Sequence, residues 1–238
     1  MKPCSRVILA GSLAVCSSAA HAEDSVEMFG ANVSLTTDYT FRGISQTDEN
    51  PAIQGGFDFN HPTGLLAGIW ASNVDFNDGD EASIEIDYYA GFSKSLANGL
   101  GLELMAIYYS YPGADPDSFD YDYGELTVGG SYKWFNAKLW YSPDFFAESG
   151  DAIYVEGNLD VPLPAEFGLG LHVGYQTIDD NGRFGTPDYT DWQVSISKEL
   201  VGLGLALSYV DTDLSDDECF GGTELCDARV VFSVSKSL

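Results

Sequence analysis

The chain has 238 residues, 37 of them acidic and 10 basic, for a formal net charge of −27 at pH 7. So negative a field repels phosphate backbones, which argues against a nucleic-acid partner, and attracts small cations. A solvated acidic surface suited to a salty habitat is the plainer account of the same charge. No run of about 20 apolar residues follows the leader, so no spanning helix is expected, and a closed barrel is the other structure a bilayer admits.

The first element is that leader. Lys2 and Arg6 form a positive segment, residues 7–15 are a short apolar run, and Ala20-His21-Ala22 is a small-residue cleavage site. This predicts a signal peptide over 1–22, cleavage between Ala22 and Glu23, and one β-barrel domain over 23–238. The apolar run is too short to anchor the chain by itself. Leu13-Ala14-Val15-Cys16 resembles a lipid-attachment site, but Val15 is bulky where a small residue is needed. Cys4 and Cys16 leave with the leader, so Cys219 and Cys226 remain, and a close pair in an exported chain reads as a disulfide.

From there the sequence alternates in apolarity with period two. Ile84, Ile86 and Tyr88 alternate with Glu85, Asp87 and Tyr89, and Ile153, Val155 and Leu159 with Tyr154, Glu156 and Asn158. Later, Leu169, Leu171 and Val173 alternate with Gly170, His172 and Gly174. Each run puts apolar side chains on one face and small or polar ones on the other. The spans are 28–41, 52–61, 65–75, 83–96, 100–111, 121–134, 137–146, 151–162, 167–178, 189–199, 201–211 and 227–238. They predict an all-β, antiparallel transmembrane barrel of about twelve strands.

The connections alternate in length. Residues 61–64, 97–99, 135–136, 162–166 and the break near Val201 are tight; residues 43–50, 76–82, 112–120, 179–188 and 212–226 are longer and polar, with 147–150 shorter than its class. Short periplasmic turns and longer outer loops are the habit of bacterial outer-membrane barrels. Tyr39, Phe41, Trp70, Tyr88, Tyr108, Tyr141, Tyr175, Trp192 and Tyr209 fall toward the long-loop ends, and Trp134 and Phe135 at a short turn, which predicts interfacial girdles. The last segment alternates Val230, Phe232, Val234 and Leu238, interrupted by Lys236, and suits barrel closure.

The block Leu35-Thr-Thr-Asp-Tyr-Thr-Phe-Arg-Gly-Ile-Ser-Gln46, followed by Pro51-Ala-Ile-Gln-Gly-Gly-Phe57, resembles the opening of the TorF-family porins, the Gcw-type conserved proteobacterial proteins. Trp70-Ala-Ser-Asn-Val-Asp-Phe76, Glu85-Ile-Asp-Tyr-Tyr-Ala-Gly91 and Tyr108-Tyr-Ser-Tyr-Pro-Gly113 look like later blocks of the same pattern. The resemblance implies an outer-membrane barrel of porin type and supplies no substrate.

If the apolar face meets lipid, the other face meets the lumen, and carboxylates belong there because they are costly against lipid. The pore-lining candidates are Arg42, Asp58, Asn60, Glu85, Asp87, Glu103, Glu125, Glu156, Asp160 and His172. Rings of Asp and Glu favour cations; the bland reading is a plugged interior of hydrogen-bonded filling. Arg42 has two readings: pairing with lumen carboxylates to form a constriction, or anchoring a loop at the rim. The acidic tracts Asp75, Asp78, Asp80, Glu81 and Asp211, Asp213, Asp216, Asp217, Glu218 do not fit the EF-hand loop and read as solvated charge.

No catalytic residue or cofactor is expected: His172 lacks the nearby serine of the lipid-acting barrel enzymes, and no phosphate loop or CxxC metal pair is present. The leading expectation is therefore a channel in the bacterial outer membrane for small solutes, preferring cations, with membrane lipid and lipopolysaccharide as neighbours. The alternatives are a closed structural or adhesive barrel acting through its acidic loops, and a soluble exported barrel that binds a small ligand.

Overall fold

Period-two alternation over eight to twelve residues gives strands of the length that crosses a bilayer at a tilt. The computed structural model describes residues 28–77, 79, 82–114 and 120–238. The expected signal peptide, its expected cleavage site at Ala22 and Glu23, and the acids Asp78, Asp80 and Glu81 lie outside them.

The elements in chain order are β1 Phe29–Thr36, β2 Thr40–Phe41, β3 Ile44–Ser45, β4 Ala52–Asn60, β5 Leu65–Asn73, β6 Ile84–Ser95 and β7 Leu100–Ser110. There follow β8 Tyr123–Tyr132, β9 Phe135–Ser142, β10 Ala152–Pro162, β11 Phe167–Ile178, a one-turn helix α1 Asn181–Phe184, β12 Tyr189–Leu200, β13 Leu203–Thr212 and β14 Arg229–Ser237. Twelve strands, all but β2 and β3, pair antiparallel with their neighbours into one closed barrel, and β1 closes it between β4 and β14. Leu35 stands opposite Ile53 on one side and Val234 on the other. The final residue takes part, because the Leu238 amide donates to the Ala31 carbonyl at 2.8 Å.

The two faces separate as their chemistry requires. Leu35, Phe57, Leu104, Leu126, Val128, Val155, Val173 and Val194 are exposed on the outside, while Gln54, Ser72, Thr127, Gln176, Ser195 and Ser208 are buried inside. An apolar belt of this extent is unfavourable in water and is the surface a bilayer covers. No helix among the described residues is long and apolar enough to cross a membrane. Tyr88, Tyr108, Tyr175 and Tyr209 stand exposed toward the long-loop end, and the hydroxyls of Tyr108, Tyr141 and Tyr209 donate to Asp122, Asp151 and Asp211. Trp134 and Phe135 are exposed at a short turn.

Three positions depart from the sequence reading. The first strand, expected over 28–41, ends at Thr36, and Tyr39, Phe41 and Trp70 point inward instead of joining the girdle. The physical cause is Asp38. Its carboxylate accepts the hydroxyls of Ser45 (2.7 Å) and Thr47 (2.9 Å) and pairs with Arg229 (2.9 Å), which folds residues 37–51 back into the barrel. The turn expected at 135–136 lies one pair earlier, with Tyr132 facing Phe135 and residues 133–134 making the bend.

Candidate functional site

The inturned segment is a β-hairpin, β2–β3, with Thr40 facing Ser45 and Phe41 facing Ile44. Arg42 and Gly43 form its two-residue turn, both at positive φ (48° and 83°), the geometry whose twist matches a hairpin. Gly43 is required twice over. Its φ disfavours a side chain, and a Cβ there would lie 2.5 Å from Thr212 Cγ2 and 2.8 Å from Asp191 Cβ. Arg42 therefore sits at a strained tip, held by what its side chain reaches.

That reach is across the barrel. The loop leaves from β1 and returns into β4, and the strands diametrically opposite that pair in the ring are β8 to β11. Arg42 touches all four. Its Nη2 donates to both oxygens of Glu125 on β8 at 2.8 Å, and its Nη1 to Gln176 Oε1 on β11 at 2.7 Å. Its guanidinium carbon lies 5.7 Å from the Trp140 ring on β9 and 4.3 Å from the Tyr154 ring on β10. Phe145, beyond β9, and Phe41 of the hairpin complete the enclosure at 5.5 and 4.7 Å. Both partners of the ion pair are removed from solvent, with side chains 4% and 1% exposed. A charge-assisted guanidinium–carboxylate pair is a strong hydrogen-bonded contact, and one left half-made in a buried site is costly.

The rest of the hairpin is fastened too. Tyr39 donates its hydroxyl to Glu85 Oε1 at 2.8 Å. The Ser45 amide donates to the Leu225 carbonyl (2.9 Å), and Ile44 packs with Tyr189, Leu225 and the buried Cys219–Cys226 disulfide. In that outer loop the Ser215 hydroxyl and amide both donate to Glu218, which holds its carboxyl below the usual carboxylate range. Aromatic side chains from Tyr109, Tyr111, Tyr121, Tyr123, Phe76 and Phe146 fill the space beside the hairpin. The outer half of the lumen is thus occupied.

The sequence candidates divide by depth. Glu85, Asp87, Glu125 and Glu156 face inward and are buried at the level of the hairpin. Asp58 is half-buried and accepts the Tyr89 hydroxyl. Glu103 pairs with Lys138 at 2.6 Å across Gly129 of the intervening strand. His172 lies between Asn158 (Nδ1, 2.7 Å) and Asp191 (Nε2, 2.7 Å), with the Tyr154 hydroxyl 3.0 Å away. Asn60 and Asp160 are exposed at the short-turn mouth and not in the interior. Sequence reading missed Trp140, Gln176 and Asp191 as partners. Tyr154 and Gln176 share the inward parity of Glu156 and His172, so alternation alone places them on the lumen side, but no local signal joins them to Arg42.

Fold and site together define a transmembrane antiparallel barrel of twelve strands whose first long loop folds into its own lumen. The chain belongs to a family described as a bacterial protein of unknown function (Gcw_chp), whose model matches residues 19–238. No curated protein matches it in sequence. Among solved structures it is similar in fold to a KdgM porin (TM-score 0.56, 10% identity, covering 88% of this chain and 99% of that one). A KdgM porin in complex with disordered oligogalacturonate gives 0.55 at 9% identity over 88% and 98%. A NanC porin gives 0.53 at 7% identity over 87% and 97%.

Proposed function

We infer that the chain is a porin-like channel of the bacterial outer membrane, passing small solutes by diffusion with a preference for cations. The observation that carries this reading is the charge of the inward wall. Asp58, Glu85, Asp87, Glu103, Glu125, Glu156 and Asp191 face inward, against Arg42, Lys138 and Arg229, with His172 beside them, among the described residues. Fixed carboxylates in a narrow lumen favour cations and repel anions. An acidic oligosaccharide such as oligogalacturonate is accordingly a poor cargo for this chain. The outer apolar belt would seat in lipid, and the acidic loops would meet lipopolysaccharide through bridging divalent ions. In this conformation the docked hairpin narrows the path, so passage requires it to shift.

The burial of the Arg42–Glu125 pair favours a second reading, a closed structural barrel acting through its loops. Conductance of the purified, refolded protein in a planar bilayer under a salt gradient separates the two. Discrete steps with a cation-selective reversal potential support the channel, and neutralising Glu85, Asp87 and Glu103 together should then weaken the selectivity. A folded barrel that stays silent, including after Arg42→Ala frees the hairpin, overturns the channel in favour of the closed barrel.

A further inference from the structure

The contacts of Arg42 describe a receptor as well as a plug. A carboxylate, an amide oxygen and three aromatic rings from the far wall surround one planar cation, and that set recognises guanidinium chemistry in general. The wall residues are held in place without help from Arg42. Glu125 Oε2 accepts the Tyr109 hydroxyl at 3.0 Å, and the Trp140 indole N–H donates to Glu156 Oε1 at 3.2 Å. The Tyr154 hydroxyl donates to Asp191 Oδ2 at 2.8 Å. Gln176 Nε2 donates to the Thr177 and Ile153 carbonyls at 3.1 and 3.4 Å, which aims its Oε1 into the lumen. A recess whose walls are braced by one another keeps its shape when its occupant leaves. Arg42, by contrast, comes from a hairpin joined to the wall through side-chain and loop contacts, with its tip backbone strained.

We propose that Glu125, Trp140, Phe145, Tyr154 and Gln176 form a binding site for small guanidinium-bearing solutes, and that Arg42 is its built-in competitor. When the hairpin is docked, Arg42 occupies the site and blocks the lumen. When the hairpin withdraws, the same groups take a solute cation of like shape, bonding its N–H groups and stacking on its plane. A compact hydrated ion such as potassium matches neither the paired carboxylate and amide acceptors nor the aromatic faces as well, so the site discriminates by shape as well as charge. The site is geometric in origin; its part in solute passage rests on the channel reading above.

The test uses the refolded full-length barrel in detergent, with methylguanidinium chloride as probe and potassium chloride at equal ionic strength as control. In Arg42→Ala the recess is vacant, and methylguanidinium should raise the thermal unfolding transition saturably, well beyond potassium. The wild type, already occupied, should respond little, and Arg42→Ala combined with Glu125→Gln should not respond. If Arg42→Ala refolds poorly, recovery of folded barrel with methylguanidinium present is the same readout, and Arg42→Gln, which keeps the side-chain bulk, provides a second vacant site. No difference between the two salts in any folded Arg42 variant overturns the proposal, as does an equal response in the Glu125→Gln combination. Current in bilayers is read separately. Methylguanidinium binding without conductance leaves the site standing and removes the channel, whereas conductance in Arg42→Ala with no stabilisation by methylguanidinium does the reverse.

Discussion

Glu125 is the residue whose loss the barrel should feel most directly. Its carboxylate accepts two of the three Arg42 bonds and the Tyr109 hydroxyl inside a site closed to water. Replacing it by glutamine leaves a buried guanidinium without its counter-charge, a change that costs about 3–5 kcal/mol where the cation cannot escape. On the proposal above, withdrawal of the hairpin offers Arg42 an escape to solvent. The expected loss is therefore the smaller of that penalty and the cost of undocking. Urea unfolding of Glu125→Gln in detergent should register a destabilisation, and bilayer recordings should register more open current than the wild type. A stable variant with unchanged current would mean that the pair does not hold the hairpin.

At the scale of elements, the plug depends on one turn. Gly43 combines a left-handed φ of 83° with contacts to Thr212 and Asp191 too close for any Cβ. Gly43→Ala should weaken docking by about 1–3 kcal/mol through strain and crowding while leaving the twelve barrel strands intact. Limited proteolysis of residues 37–51 is the direct measurement, with faster cleavage expected and the barrel fragment still resistant. The neighbouring loop braces this turn, since Ile44 packs on Cys219, Leu225 and Cys226. The disulfide thus supports the hairpin as well as its own loop, for which cross-linking supplies about 2–3 kcal/mol. The resemblance block at residues 35–46 runs from the end of β1 through this hairpin, so most of that stretch builds the lumen contact and not the wall.

For the whole molecule, stability divides between a lipid-facing belt and a polar interior crossed by one loop. Leu126, exposed in the belt between buried Glu125 and Thr127, samples the first. Leu126→Arg should cost about 2–4 kcal/mol if that position lies near the bilayer midplane, and much less near an interface. Folding into liposomes against urea measures it, and a negligible cost would place residue 126 away from the hydrocarbon centre. Because strands alternate, the same change one residue away would enter the lumen and act on conduction instead.

The sequence by itself determined the wall. Period-two alternation fixed strand identity and facing, because a one-residue shift would put Glu85, Asp87 and Glu156 against lipid. The alternation of short and long connections fixed the up-and-down order, and the spacing of Cys219 and Cys226 fixed the bridge. Only the tertiary structure decided where residues 37–51 go. Tyr39 and Phe41 continue the alternation of β1, so pattern alone extended that strand and sent their rings to the girdle. What turned the chain inward was a carboxylate at Asp38 answered by Arg229, 191 positions along the chain. Arg42 likewise finds Glu125 and Gln176 at separations of 83 and 134 residues. Such contacts leave no local periodicity, because they exist only once the sheet has closed and its diameter has set which wall the hairpin can reach.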